Sequence, residues 1–297
     1  MLYRGPDELV KRAAALVRGA RAAGEPILVM LASDTIESVR SALDGAAEHA
    51  LFVDVGELGR NPSRIIPAWA SFLQEHAASG IPVRAIGETI WAGRTVDEVV
   101  EAQRCERLLD LAFAAADAWI VCPYDTSALP ADVIDEARRA HPLLSTGAIA
   151  RPGGGASHSD GFGSGAPLPT VPRRARSIDF DRRSLATVRR WVEASARAGG
   201  LNPQRSSDLV LAANEVAANC IRHGGAGGRV MCWSQDGRLN VEVRGAGRID
   251  NPLAGMQRPD PGREGGSGLW LANQLCDLVQ VRVVTDGSAI RLQMILA

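Results

Sequence analysis

Asn214-Glu215-Val216-Ala217-Ala218-Asn219-Cys220-Ile221-Arg222-His223-Gly224-Gly225 decides how the second half of this 297-residue chain is read. The stretch closes an apolar periodic segment that opens at Asn202-Pro203, a pair suited to a helix cap followed by a first-turn proline. Leu209, Ala213, Val216 and Cys220 recur at helical spacing and form one apolar stripe. Glu215 and Asn219, four residues apart, therefore leave the flank of that helix side by side. Alone, such a pair is ordinarily a solvated face. What surrounds it gives it another meaning.

Downstream, Arg229 to Ser234 and Arg238 to Val243 alternate as strands around Asp236-Gly237, a strong hairpin signal. Gly245-Ala246-Gly247 then opens a long segment that ends in Gly265-Gly266-Ser267-Gly268, directly ahead of the apolar helix Leu269 to Cys276. Glycines at a helix start let backbone N–H groups approach an anion, and the helix dipole adds to the attraction, so this is a phosphate-binding arrangement. Two further strands, Leu278 to Val284 and Ser288 to Leu296, meet around Asp286-Gly287. Upstream, a helix from Ser184 to Ala198 stops at Gly199-Gly200 and carries no His.

Further upstream, residues 151–172 hold six Gly, four Pro and three Ser in 22 positions, which suits a spacer without a core, and His158 inside it reads as a solvated linker residue. The division expected is 1–150, linker 151–172 and 173–297. In the first part, helices (Asp7 to Ala23, Thr35 to His49, Pro62 to Ser79, Val96 to Ala115) alternate with bounded apolar runs (26–31, 50–55, 81–86, 118–122). That alternation predicts a mainly parallel sheet covered by helices on both faces, a three-layer α/β domain. The turn after Leu31 has no glycine and no Lys-Ser/Thr pair, so it reads as a nucleotide-type scaffold without nucleotide chemistry.

The balance of 33 Lys+Arg against 34 Asp+Glu argues against direct nucleic-acid binding, which needs a concentrated basic field. No run of about 18 apolar residues and no signal-peptide core is present, so a cytoplasmic protein away from the membrane is expected. The five cysteines are scattered without a Cys-x-x-Cys pair or a His at zinc-ligand spacing, and read as reduced, buried thiols.

The second half resembles the ATP-binding domain of histidine kinases, gyrase and anti-sigma serine kinases, the GHKL or Bergerat α/β sandwich. Residues 214–223 match its N box, Gly245-Ala246-Gly247 its first glycine box, Gly266-Ser267-Gly268-Leu269-Trp270 its second, and Asp286-Gly287-Ser288 its closing Gly-Thr element. The resemblance implies ATP and Mg²⁺ as cofactors, with Asn219 holding the metal and Glu215 orienting or activating a water or substrate hydroxyl. It also places His223, Gly245, Gly247, Gly266, Ser267, Gly268 and Leu269 around the nucleotide. One residue departs from the pattern. The first glycine box normally begins with Asp, which accepts a hydrogen bond from the adenine amino group, and Gly245 stands there. Asp250, five residues on, is the candidate substitute. Without an acceptor-His helix the domain looks like the compact anti-sigma type.

Gly87-Glu88-Thr89-Ile90-Trp91-Ala92-Gly93-Arg94, Leu111 to Ala114 and Val121-Cys122-Pro123-Tyr124-Asp125-Thr126 with Leu129-Pro130 resemble the MEDS sensory domain over residues 3–145. Trp91, Cys122 and Tyr124 read equally as core residues or as the wall of a ligand pocket. Together the two resemblances imply a transcription regulator. It would sense a small-molecule signal, sequester a sigma factor and phosphorylate a sigma-antagonist domain on Ser or Thr. The alternative is a partner-binding module with a degenerate nucleotide site. Pairing as a homodimer stays open.

Overall fold

Strand Ile27–Leu31 is buried at every position, as a continuous apolar run should be when both faces of a parallel sheet are covered. It belongs to the first of two compact units, Met1–Ser159 and Asp160–Ala297, whose boundary falls inside the glycine-rich stretch. The computed structural model describes residues 1–141, 143–145, 150–152, 166–225, 227–259 and 266–296. Residues 153–165, His158 among them, and 260–265, with Gly265, lie outside the described residues.

The first unit runs β1 (Leu2–Tyr3), α1 (Pro6–Ala23), β2 (Ile27–Leu31), α2 (Ser33–Ala42), β3 (Ala50–Asp54), α3 (Val55–Leu58), α4 (Ile65–His76), β4 (Val83–Gly87), α5 (Val96–Phe113), β5 (Ala118–Val121), β6 (Tyr124–Asp125), α6 (Ala131–Ala140) and the hairpin β7 (Leu143–Ser145) and β8 (Ala150–Pro152). Its main sheet has the order β3-β2-β4-β5, parallel throughout. Ile27, Val29 and Leu31 join Ala13 and Val17 of α1 in one core. Met30 points to the opposite face, where it receives the Trp69 indole N–H from α4. Gly87 lies under the same ring, and a Cβ there would come within 2.5 Å of it. Helices thus cover both faces, as expected. The chain passes from β2 out to β3 and returns to β4 on the other side. A crevice is therefore expected beyond the carboxyl ends of these strands.

The helix expected over Thr35 to His49 is instead α2 followed by a 3₁₀ turn, Ala46–His49. Asp44 and Gly45 take left-handed backbone, φ 42 and 80, which an α-helix cannot pass through. The short parallel pair β1 and β6 and the helix α6 were not assigned from the sequence.

The second unit runs β9 (Arg176–Phe180), α7 (Leu185–Ala198), α8 (Pro203–Gly224), β10 (Gly228–Gln235), β11 (Arg238–Gly245), α9 (Ser267–Leu275), β12 (Leu278–Val284) and β13 (Gly287–Ile295). The sheet order is β12-β13-β11-β10-β9, antiparallel at every pairing. Asp236 and Gly237, φ 50 and 68, make the two-residue turn that the Asp-Gly signal predicts. The edge strand β9 escaped the sequence reading because Ile178 and Phe180 are its only apolar residues. Val230, Val241, Val243, Ile290 and Leu292 face the helices, and Leu209, Ala213, Val216 and Cys220 of α8 close the core on them.

The opposite face is polar and buried. Glu242 accepts from the Arg291 guanidinium at 2.7 Å, and the Arg291 guanidinium also stacks over Trp233 at 4.9 Å. Residues 166–169 lie along this face: the carbonyl of Pro169 accepts from Arg291 at 2.6 Å and that of Ala166 from Arg282 at 2.7 Å. The end of the glycine-rich stretch therefore packs against the sheet, where the sequence suggested only a spacer. The free carbonyls of a proline-punctuated chain satisfy guanidiniums that the sheet leaves buried.

Glu242 has no exposed surface. Glu242→Ala should destabilise the second unit by about 3–5 kcal/mol, since it leaves a buried guanidinium without its carboxylate. Glu242→Leu combined with Arg291→Met should recover most of that loss, as read by thermal unfolding.

Candidate functional site

Helix α8 sets the site. Asn202 caps it, accepting from the Arg205 N–H at 2.9 Å, and Pro203 fills its first turn. With Val216 and Cys220 in the core, Glu215 and Asn219 stay half-exposed on the side facing the start of α9. A Cβ added at Gly268 would lie 2.4 Å from Asn219 Nδ2 and 3.4 Å from the Glu215 Cβ. The second glycine box therefore seats directly on the Glu–Asn pair. Gly266, φ 85, caps α9 in a left-handed conformation without a side-chain capping hydrogen bond.

The first glycine box meets the other end of α8. A Cβ at Gly224 would stand 2.5 Å from the Gly247 nitrogen, so the two backbones touch. Gly245 pairs with Ser288 of β13. The space that an Asp side chain would take at Gly245 is filled by Cys220, whose Cβ and Sγ lie 2.7 and 2.9 Å from an ideal Cβ there. Burial pushes the Cys220 thiol up to about 11, so it stays protonated and behaves as an apolar plug.

Between these elements opens a cavity of about 610 Å³. Asn219, His223, Gly247, Gly266 and Leu269 line it, as does Asp250. Glu215, Gly245, Ser267 and Gly268 stand outside its wall. Three arginines that the sequence reading did not single out, Arg222, Arg248 and Arg258, also face it. Scattered along the sequence, they converge only when the loop folds back over α8. Arg222 donates to Asn219 Oδ1 at 3.0 Å. Ser288 lines the cavity, and its hydroxyl is fully buried without a hydrogen-bond partner among the described residues. Such a group is costly unless something supplies a partner.

The described part of the loop over the cavity is anchored. Leu253 and Met256 are buried, and Asn273 Nδ2 of α9 donates to the Gly255 carbonyl at 2.8 Å.

In the first unit, two of the stretches quoted for the MEDS resemblance, those around Glu88-Thr89 and Cys122 to Tyr124, gather beyond the carboxyl ends of β4 and β5. Tyr3 donates to Glu88 Oε1 at 2.6 Å, while Thr89 and Tyr124 donate to the two oxygens of Glu106. Arg94 stacks on Trp91 at 3.6 Å and donates to the Gly59 and Thr89 carbonyls at 2.7 and 2.8 Å. Cys122 is buried, and burial, followed by the Glu106 charge, holds its thiol well above the usual range. Among the described residues no helix is long and apolar enough to cross a membrane.

Comparison with known families finds two matches along the chain. Residues 1–142 match the family described as MEDS, the MEthanogen/methylotroph, DcmR Sensory domain, and residues 178–294 match the histidine kinase-like ATPase domain. No curated protein matches the chain. The chain thus joins a MEDS domain to a histidine kinase-like ATPase domain, the combination of a sensory unit and a regulatory ATPase-like unit.

Gly245→Asp should not restore an adenine-binding carboxylate. It should destabilise the second unit by about 1–3 kcal/mol through overpacking against Cys220. Adding Cys220→Ala should recover only part of that cost, because it removes the Sγ at 2.9 Å and keeps the Cβ at 2.7 Å, as read by denaturant midpoints of the single and double variants.

Proposed function

We propose that the second unit binds ATP in the 610 Å³ cavity and that nucleotide occupancy governs how the chain holds a protein partner. The observation that carries this reading is the Ser288 hydroxyl of the cavity wall, buried and without a hydrogen-bond partner among the described residues. It stands across the sheet from Gly245, where the family's adenine-binding Asp is missing. Ser288 supplies a polar contact at the base end of the pocket. Arg222, Arg248 and Arg258 supply cations for phosphates, and the uncapped start of α9 supplies backbone donors.

Mg²⁺ would take Asn219 Oδ1 as its protein ligand and neutralise phosphate charge when bound. That oxygen is now held by Arg222, an exposed side chain free to swing aside. In a phosphorylating version of this function, Glu215 accepts the proton of a partner's Ser or Thr hydroxyl, and the protein mainly positions that hydroxyl. The partners are a sigma factor, which the second unit sequesters, and a sigma-antagonist domain, which is the phosphoacceptor. The N-terminal MEDS unit supplies the signal input. These assignments follow the resemblance to anti-sigma serine kinases.

A second reading, partner binding without phosphoryl transfer, is favoured by the Cys220 plug at Gly245 and by the position of Glu215 outside the cavity wall. Both readings are separated by one set of measurements on the full chain. Calorimetry with ATP, with and without Mg²⁺, should give binding that Ser288→Ala weakens about 5–10-fold, the value of one neutral hydrogen bond. The same variant should leave the free protein as stable as the wild type or more so, because it removes an unsatisfied buried hydroxyl. Asn219→Ala should abolish the Mg²⁺-dependent part. Absence of binding at millimolar ATP defeats the nucleotide proposal. Transfer of labelled phosphate to a captured antagonist, lost in Glu215→Gln, selects the kinase version. Pull-downs from the host that retain neither a sigma factor nor an antagonist domain overturn the partner assignment.

A further inference from the structure

The first unit carries a second constellation, independent of the nucleotide reading. Glu106 lies in the middle of α5, Cys122 directly follows β5, and His141 directly follows α6. Their ligating atoms, a carboxylate oxygen, the Cys Sγ and an imidazole nitrogen, all lie within 4.8 Å of one another. We propose that Glu106, Cys122 and His141 form a binding site for a borderline-soft divalent transition metal of the zinc class, with an open coordination position.

Three further observations point the same way. Glu106 is 7 % exposed and has no ion-pair partner among the described residues. Its two oxygens take hydroxyl donors from Thr89 and Tyr124, which orient the carboxylate and leave each oxygen a lone pair. Arg94 and the Met1 ammonium, which donates to the Cys122 carbonyl at 2.6 Å, act on it through charge without direct pairing. A divalent cation at the carboxylate would add the direct partner that these two do not.

His141 shows the orientation of a prepared ligand. Its Nδ1 lies 2.9 Å from the Ala137 carbonyl, and with Nδ1 donating there, Nε2 keeps the lone pair a metal takes. A metal-binding histidine ordinarily gives its other ring nitrogen to such a carbonyl. The Tyr124 ring packs edge-on against the imidazole at 5.6 Å and fixes its plane. Because Tyr124 also donates to Glu106, one residue braces two of the three ligands.

The place in the fold is the third indication. Cys122 and Thr89 sit just past the ends of β5 and β4, on the carboxyl edge where sheets with this strand order take ligands. His141 is half-buried while Glu106 and Cys122 are buried, so the site has a protected floor and a side open to entry.

The donor set selects the metal class. Sulfur and imidazole donors do not suit Ca²⁺ or Mg²⁺, which take oxygen cages, whereas Zn²⁺, Co²⁺ and similar ions accept S, N and O together. Tetrahedral coordination at ordinary bond lengths holds neighbouring ligand atoms about 3.3–3.8 Å apart, so side-chain contraction of about 1 Å brings the three into place. Three protein ligands leave the fourth position to an exogenous molecule, as in zinc sites that bind small Lewis bases. The spacing of 16 and 19 residues between the ligands matches no short metal motif, which is why Cys122 reads in the sequence as a reduced, buried thiol of a core or of a ligand-pocket wall and not as a metal ligand.

The test uses the full chain, stripped with chelator and titrated with Zn²⁺ or Co²⁺ alone. One equivalent should bind, and Co²⁺ should give a thiolate charge-transfer band. Cys122→Ser should remove that band and weaken Zn²⁺ binding at least 100-fold. His141→Ala, at a half-buried position where folding is little disturbed, should also weaken Zn²⁺ binding at least 100-fold. Thr89→Val, which removes the hydroxyl that donates to the carboxylate, should weaken it about 10–100-fold. Circular dichroism of each variant checks that the fold persists. Absence of stoichiometric binding by the wild type overturns the proposal, as does a Co²⁺ band that survives Cys122→Ser. Unchanged affinity in folded His141→Ala overturns it as well.

Discussion

At the end of α8 two stretches of backbone meet without a side chain between them. A Cβ at Gly224 would stand 2.5 Å from the Gly247 nitrogen, and one at Gly245 would stand 2.7 Å from the Cys220 Cβ. This close approach holds the first glycine box against the helix that carries Glu215 and Asn219. It also fixes where β11 ends, and with it the register that sets Ser288 opposite Gly245. The cavity is the space left between that contact and the start of α9. Any side chain larger than hydrogen at Gly224 or Gly245 would wedge the two apart. In that sense the glycines set the pocket's shape before any polar group sets its chemistry.

The chemistry differs from the family pattern in one connected way. At Gly245 the carboxylate of the family pattern is missing, a protonated thiol fills its place, and the buried hydroxyl of Ser288 stands opposite on the neighbouring strand. Loss of a charged acceptor at a buried position is tolerable because its replacement carries no charge to desolvate. In the proposed nucleotide site the phosphates would meet guanidiniums, which form bidentate, charge-assisted bonds. Arg222 occupies the oxygen of Asn219 through that same preference for exposed carbonyl acceptors.

The parallel sheet was legible because β2 to β5 are bounded apolar runs, and the second unit because its glycine boxes and Asp-Gly turn are local signals. The N-box pair was legible for the same reason, since i and i+4 share a helix flank whatever the tertiary fold. What escaped depends on long-range pairing. β9 has two apolar residues and gains its place only beside β10. The residues 166–169 are held by guanidiniums more than a hundred positions away. Arg248 and Arg258 belong to a loop whose path over the cavity no periodicity encodes. Cys220 was read as a core residue, which it is, but its role as a plug follows from a distance to Gly245 that only coordinates provide. Glu106, Cys122 and His141 share no segment at all.

Hydrogen exchange on the full chain with and without ATP tests the central claim most directly. Binding in the cavity predicts added protection over residues 219–223, 245–259 and 266–275, with little change in the strands of the first unit. Unaltered exchange over those three segments at millimolar ATP, or protection confined to other parts of the chain, would contradict it.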